Sequence, residues 1–139
     1  AWDEIDASIA AFQQSVMSIR RAPFPVVVAA HGLTLGGGCE FSLHADRVQA
    51  AAETYMGLVE VGVGVIPGGG GTKELAFRFT EALAPYDEAD AFEAIKRAFK
   101  LIAFATASTS AHEARALGYL QAVDRISMNR DTLLSDAKQ

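Results

Sequence analysis

An α/β fold with parallel strands is what this 139-residue sequence predicts, and three features carry that expectation. The run Pro25-Val26-Val27-Val28-Ala29-Ala30 is apolar without polar alternation, the pattern of a strand covered on both faces and typically central in a parallel sheet. Helical periodicity lies on either side of it, with Ile5, Ile9, Phe12, Val16 and Ile19 upstream and Phe92, Ile95, Phe99 and Ile102 downstream. Two glycine-rich turns, Gly36 to Gly38 and Gly68 to Gly71, separate extended from helical stretches.

Taken in order, the first stripe predicts a helix from about Asp3 to Arg21, with Asp3 able to cap it. Pro23 and Pro25 end that helix, because proline cannot donate to it and favours extended geometry before it. After the first strand, His31 to Gly38 reads as a turn, and Cys39 to Ala45 as a short helix. Asp46 to Ala52 reads as the next strand, and Thr54 to Gly57 as a short extended piece leading to Leu58-Val59-Glu60. Thr72 to Phe79 suits a helix, Thr80 to Tyr86 a loop, and Asp87 to about Ala105 a packing helix without chemistry. Ser110-Ala111-His112-Glu113 has the capping-box form and Gly118 suits a helix end, so both ends of a short helix are specified. Tyr119 to Ile126 then reads as a strand, and Asn129 or Asp131 can cap a last helix to Lys138.

Composition excludes several functions. Half of the residues are apolar and the formal net charge is −5, so no clustered basic surface is on offer for a phosphate backbone, and nucleic acid is not an expected partner. No apolar run is long enough to span a membrane. The single cysteine, Cys39, rules out an internal disulfide framework and suggests a reducing, cytoplasmic setting. His31, His44 and His112 do not form a metal-ligand pattern, and Cys39 has no base at nucleophile spacing, which suits a buried structural thiol. No signal peptide is expected, since the chain opens in an amphipathic helix, and the missing initiator Met suggests a longer product.

The glycine turns and two glutamates hold the candidate chemistry. Three consecutive glycines let a backbone approach something closely, and a helix starting there would aim free N–H groups and its positive dipole end at an anion or developing oxyanion. The alternative is that the glycines only let a helix pack on a strand. A phosphate-binding P-loop fails on spacing, because Lys73 follows Thr72 instead of preceding it. Glu40 can be a solvated dipole partner at a helix start, and Glu60 an ordinary loop carboxylate. Together they can also form an acid–base pair.

The passages AAHGLTLGGGCEFSLHADRV and YMGLVEVGVGVIPGGGGTKEL, followed by SAHEARALGYLQAVDRI, resemble the enoyl-CoA hydratase/isomerase (crotonase) superfamily. The stretch from Trp2 to Lys138 is similar to the crotonase-like region of bacterial fusion proteins that join 3-hydroxyacyl-CoA dehydrogenase to enoyl-CoA hydratase. The resemblance implies a spiral of β-β-α turns, here only its central and C-terminal part, as one partial domain over residues 1–139. It implies catalytic roles for Glu40 and Glu60, an oxyanion-hole N–H from Gly37, and substrate-binding glycines at Gly36 and Gly68. The implied reaction is reversible hydration of 2-enoyl-CoA in fatty-acid β-oxidation. The alternatives are double-bond isomerisation, which one glutamate can serve, or a non-catalytic oligomerisation segment. The coenzyme A thioester is substrate; no cofactor is expected in this segment, and NAD would belong to a separate dehydrogenase domain. A homo-oligomer, a trimer or dimer of trimers, is the family's habit. The family's earlier segment with the second oxyanion donor and part of the adenine site lies outside this sequence. The strand at Val26 to Ala30 is accordingly expected to have an open edge prone to association.

Overall fold

Residues 1–83 and 90–139 are described in the computed structural model of the chain. Helix α1 (Trp2–Arg20) is followed by β1 (Val27–Ala30), β2 (Leu33–Leu35), α2 (Gly37–His44), β3 (Arg47–Ala51), β4 (Tyr55–Gly57), a 3-10 turn at Glu60–Val63 and α3 (Gly71–Glu81). Then come α4 (Ala91–Ala103), α5 (Ala111–Leu117), β5 (Arg125–Ser127), a second 3-10 turn at Arg130–Thr132 and α6 (Leu133–Ala137).

The strands form two open parallel sheets, β1-β3-β5 and β2-β4. Each β-β-α unit stacks on the one before it, β1 on β3 and β2 on β4. Register pairs Val27 with Arg47, an offset of 47 − 27 = 20 residues. It pairs Leu33 with Tyr55, an offset of 55 − 33 = 22. That repeat length brings two glutamates twenty residues apart in sequence near enough for the charge of Glu60 to act on Glu40. The segment after α4 runs along β4, where Ser108 N–H donates to the Met56 carbonyl at 2.8 Å and Gly57 bridges to Ala107. Leu43, Val48, Met56, Leu58, Leu75, Tyr119 and Leu120 fill the core between sheets and helices.

Several expectations need correcting. Strand β1 is an edge of its sheet, with β3 central, which agrees with the open edge implied by the resemblance and corrects the central position read from the apolar run, a pattern that reports covered faces and says nothing of hydrogen-bonded neighbours. Leu33-Thr34-Leu35, expected as turn, is a strand because its partner, β4, returns one repeat later. Asp3 does not cap α1: the helix starts one residue earlier, and the terminal amine bonds Glu4 Oε2 at 2.7 Å. Helix α3 runs on to Glu81, into the stretch expected as loop, and the end of that loop, 84–86, with the expected start of the next helix at 87, lies outside the described residues. Asp90 caps α4 by accepting from Phe92 N–H at 2.8 Å. The buried face of α4 is Ala94, Ala98 and Leu101, with Ile102 packed against the core, whereas Phe92 and Phe99 are both 67% exposed and mark the outer side. Tyr119 to Ile126 is not one strand: the Asp124 carboxylate accepts from Gln121 N–H at 2.6 Å and Val48 N–H at 2.8 Å, closing a turn that leaves only Arg125–Ser127 extended. Helix α5 has the ends its sequence specifies, with Ser110 Oγ accepting from Glu113 N–H and Gly118 left-handed at φ 99°.

Candidate active site

Gly36 makes the turn from β2 into α2. Its N–H donates to the Gly57 carbonyl at 2.9 Å, and its φ of 55° is open to glycine at little cost. Gly37 therefore becomes the first residue of α2, and its N–H has no hydrogen-bond partner among the described residues. That is the orphan donor a helix start supplies.

Glu40, on the first turn of the same helix, is buried at 1% exposure. Its Oε1 accepts from Gly71 N–H at 2.8 Å, the first residue of α3. A Cβ on Gly69 would lie 2.6 Å from Glu40 Oε2, so the second glycine turn can reach this carboxylate only as bare backbone. Burial pushes the Glu40 carboxyl above the usual range. The Gly71 hydrogen bond opposes this, and the charge of Glu60 adds to the rise.

Glu60 opens the 3-10 turn that follows β4, and both its carboxylate oxygens are buried with no hydrogen-bond partner among the described residues. Its Oε1 is 3.5 Å from the Cβ position of Gly36. The two carboxylates thus approach the glycine turns from successive repeats, Glu60 beside Gly36 and Glu40 beside Gly69. Unpartnered oxygens out of water are costly unless a ligand or water satisfies them. Cys39, next to Glu40, is fully buried, and desolvation first of all pushes its thiol up to about 12, an inert group as expected.

Helix α1 covers this cluster. The Phe12 ring sits 3.2 Å from the Cβ position of Gly37 and 2.3 Å from that of Gly69, and stacks edge-on against Phe41 at 5.5 Å. Gly68 is covered likewise, its carbonyl accepting from Gln13 Nε2 at 2.8 Å. Neither glutamate lines any of five hollows on the described surface. Sequence periodicity places Phe12 on the apolar stripe but cannot distinguish core from site, and so misses it. Gly71 was legible in principle, as the last glycine before a helix. His31 and His112 are exposed and His44 is buried within α2; among the described residues no three His, Cys, Asp or Glu side chains converge as metal ligands.

Open parallel sheets stacked as β-β-α repeats, with a carboxylate from each of two repeats set against glycine backbone, define a crotonase-type α/β fold. The chain belongs to the enoyl-CoA hydratase/isomerase family, whose pattern matches residues 4–86. Among individual proteins it is 49% identical over 136 residues to a Bacillus subtilis protein named "Probable 3-hydroxyacyl-CoA dehydrogenase", covering 98% of this chain and 17% of that one. It is 40% identical over 81 residues to the mitochondrial methylglutaconyl-CoA hydratase of Rattus norvegicus, covering 58% of this chain and 26% of the relative. The enoyl-CoA hydratase of Bacillus anthracis superposes with a TM-score of 0.78 at 26% identity, over 99% of this chain and 46% of that structure. A hydratase structure from Polaromonas sp. JS666 gives 0.72 at 27%, over 97% and 46%. The chain thus spans less than half the length of these relatives.

Proposed function

We propose that the protein carrying this chain hydrates 2-enoyl-CoA thioesters reversibly, with Glu40 and Glu60 as the acid–base pair and Gly37 N–H as an oxyanion donor. Hydration places a water hydroxyl on C3 and its proton on C2, and negative charge collects on the thioester oxygen in between. A base must take a proton from the water, an acid must supply one to C2, and donors must meet the enolate oxygen. One carboxylate must be ionised while the other is protonated. The raised Glu40 carboxyl, pushed by burial and by the charge of Glu60, supports such a singly protonated pair. The observation that carries the reading is the convergence of Glu40 and Glu60 on one set of glycine turns with the Gly37 N–H unbonded.

On this reading the chain is the central and C-terminal part of one crotonase domain, Gly36 and Gly68 border the bound acyl thioester, and the second oxyanion donor comes from elsewhere in the protein. A homo-oligomer in the cytoplasm, with any NAD chemistry in a separate dehydrogenase domain, completes the proposal. The test is loss of enoyl absorbance with a short 2-enoyl-CoA in the longer protein and in its Glu40→Gln and Glu60→Gln variants. Strong loss in both supports the pair. Full activity in both would sink it.

A further inference from the structure

Behind Glu40 lies a second cluster that the proposed reaction does not use. Glu74, near the start of α3, is fully buried and ion-paired through Oε2 to Arg20 at the end of α1. Lys73 Nζ lies 2.8 Å from Glu74 Oε1, an oxygen left without an aligned hydrogen bond. His44, the last residue of α2, has its Nε2 3.5 Å from the same Oε1 and 3.3 Å from Lys73 Nζ. Its Nδ1 is 2.7 Å from the Glu40 carbonyl oxygen.

The tautomer follows from what each partner can do. A carbonyl only accepts, so Nδ1 carries a proton; Nε2 lies between Lys73 Nζ at 3.3 Å, which only donates, and Glu74 Oε1 at 3.5 Å, which only accepts, and the shorter contact turns its lone pair to Lys73. His44 is then a neutral imidazole. Burial first of all holds it below the usual histidine range; the bond to the Glu40 carbonyl and the Glu74 charge oppose this, while Lys73 and Arg20 work with burial. For Glu74, burial pushes the carboxyl up, and Lys73, Arg20 and His44 overcome it, leaving the carboxyl below the usual range. The imidazole also touches the second glycine turn, since a Cβ on Gly70 would lie 3.2 Å from His44 Nε2. One ring therefore contacts both the main chain of Glu40 and the turn that brings Gly71 N–H to the Glu40 carboxylate.

We propose that His44 and Glu74, closed by Lys73 and Arg20, are positioning residues that hold Glu40 against the Gly70–Gly71 turn. The proposal rests on Glu40 being an acid–base group, but its geometry can be tested without turnover. Nitrogen NMR of the histidine- and glycine-labelled chain is the experiment. The expected result is a neutral His44 protonated at Nδ1, and a Gly71 amide signal that titrates with Glu40 because the two are hydrogen-bonded. In His44→Leu and Glu74→Gln variants shown to be folded by circular dichroism, Gly71 should lose most of that titration. Should His44→Leu fail to fold, Lys73→Met at a half-exposed position serves instead: His44 should gain a second proton towards Glu74, and Lys73→Arg should restore the neutral ring. A wild-type ring protonated at Nε2, or a Gly71 titration unchanged in the folded variants, overturns the proposal. Wild-type positioning as described, combined with full hydration activity in Glu40→Gln, would instead remove the functional reading and leave the geometry standing.

Discussion

Gly71 and Glu40 lie 31 residues apart, and the N–H that opens α3 donates to the carboxylate on the first turn of α2 at 2.8 Å. A carboxylate held by a backbone donor keeps one geometry, here with Oε1 on Gly71 N–H and Oε2 against the Gly69 backbone. In the proposed mechanism Glu40→Gln keeps the shape but loses the proton exchange, as does Glu60→Gln. Each is expected to lower hydration by about 10²–10⁴-fold in the longer protein, the range for a positioned acid or base. The double variant should be little worse than the weaker single one, because the pair works as a unit. Steady-state kinetics on a short 2-enoyl-CoA checks both statements, and additive losses would argue against a shared proton.

Gly57 is the tightest point between the second sheet and the segment after α4. A Cβ there would lie 2.8 Å from Ala107 Cα and 2.9 Å from both Ala107 Cβ and the Thr106 carbonyl oxygen, none of which can rotate away. Gly57→Ala is expected to destabilise the chain by about 1–3 kcal/mol, the usual cost of overpacking. It should also disturb Gly36, whose N–H donates to the Gly57 carbonyl. Denaturant unfolding measures the first effect. An unchanged midpoint would mean that the segment at Ala107 gives way more easily than its contacts suggest.

Stability should depend on pH through two carboxylates of opposite sign. Glu74 is held below the usual range in the folded chain, so its contribution is present above the unfolded value and is lost as pH falls through the folded one. Glu40 is raised, so the folded chain binds a proton longer than the unfolded chain does, and stability falls as pH rises from the ordinary carboxylate range through its folded value. Glu74→Gln should therefore flatten the acid limb, and Glu40→Gln the limb above it. Thermal unfolding across pH reads both limbs, and a Glu74→Gln profile that parallels the wild type would contradict the burial and pairing described.

How much of this was legible without coordinates differs from element to element. The α5 helix was, because Ser110, Glu113 and Gly118 specify both ends locally. The glutamate pair was legible through family resemblance, and its physical cause is the 20- to 22-residue register of stacked repeats, which no single strand reveals. Strand β2 was not, since Leu33-Thr34-Leu35 is three residues long and its identity depends on β4. The stripe on α4 gave the wrong buried face, because Phe92, Ile95 and Phe99 have the right period but Ala94, Ala98 and Leu101 are the residues buried. The Arg20–Glu74–His44 cluster was out of reach as well. Its members come from three helices, and nothing in a charge pattern says which glutamate will be buried.

The same α4 face leads to the last expectation, that the 139-residue chain by itself self-associates and turns over enoyl-CoA negligibly. Val61, Ile66, Pro67, Ile95, Phe99 and Ile102 line an apolar hollow of about 410 Å³, and Phe92 and Phe104 extend the exposed apolar surface beyond it. Contiguous surface of this kind marks an interaction site more often than a free face. Strand β1 adds a second driving force, because its outer side pairs with no strand among the described residues and presents free backbone groups. Catalysis should fail for a different reason. In the proposed mechanism these residues supply one oxyanion donor, Gly37, loss of a donor costs about 10²–10³ in turnover, and Phe12 already fills the space over Gly37 and Gly69. Light scattering should give a mass above the monomer, and Phe99→Glu should lower it. A monomeric chain hydrating substrate as fast as the longer protein would show that neither the open surface nor the single donor matters as argued.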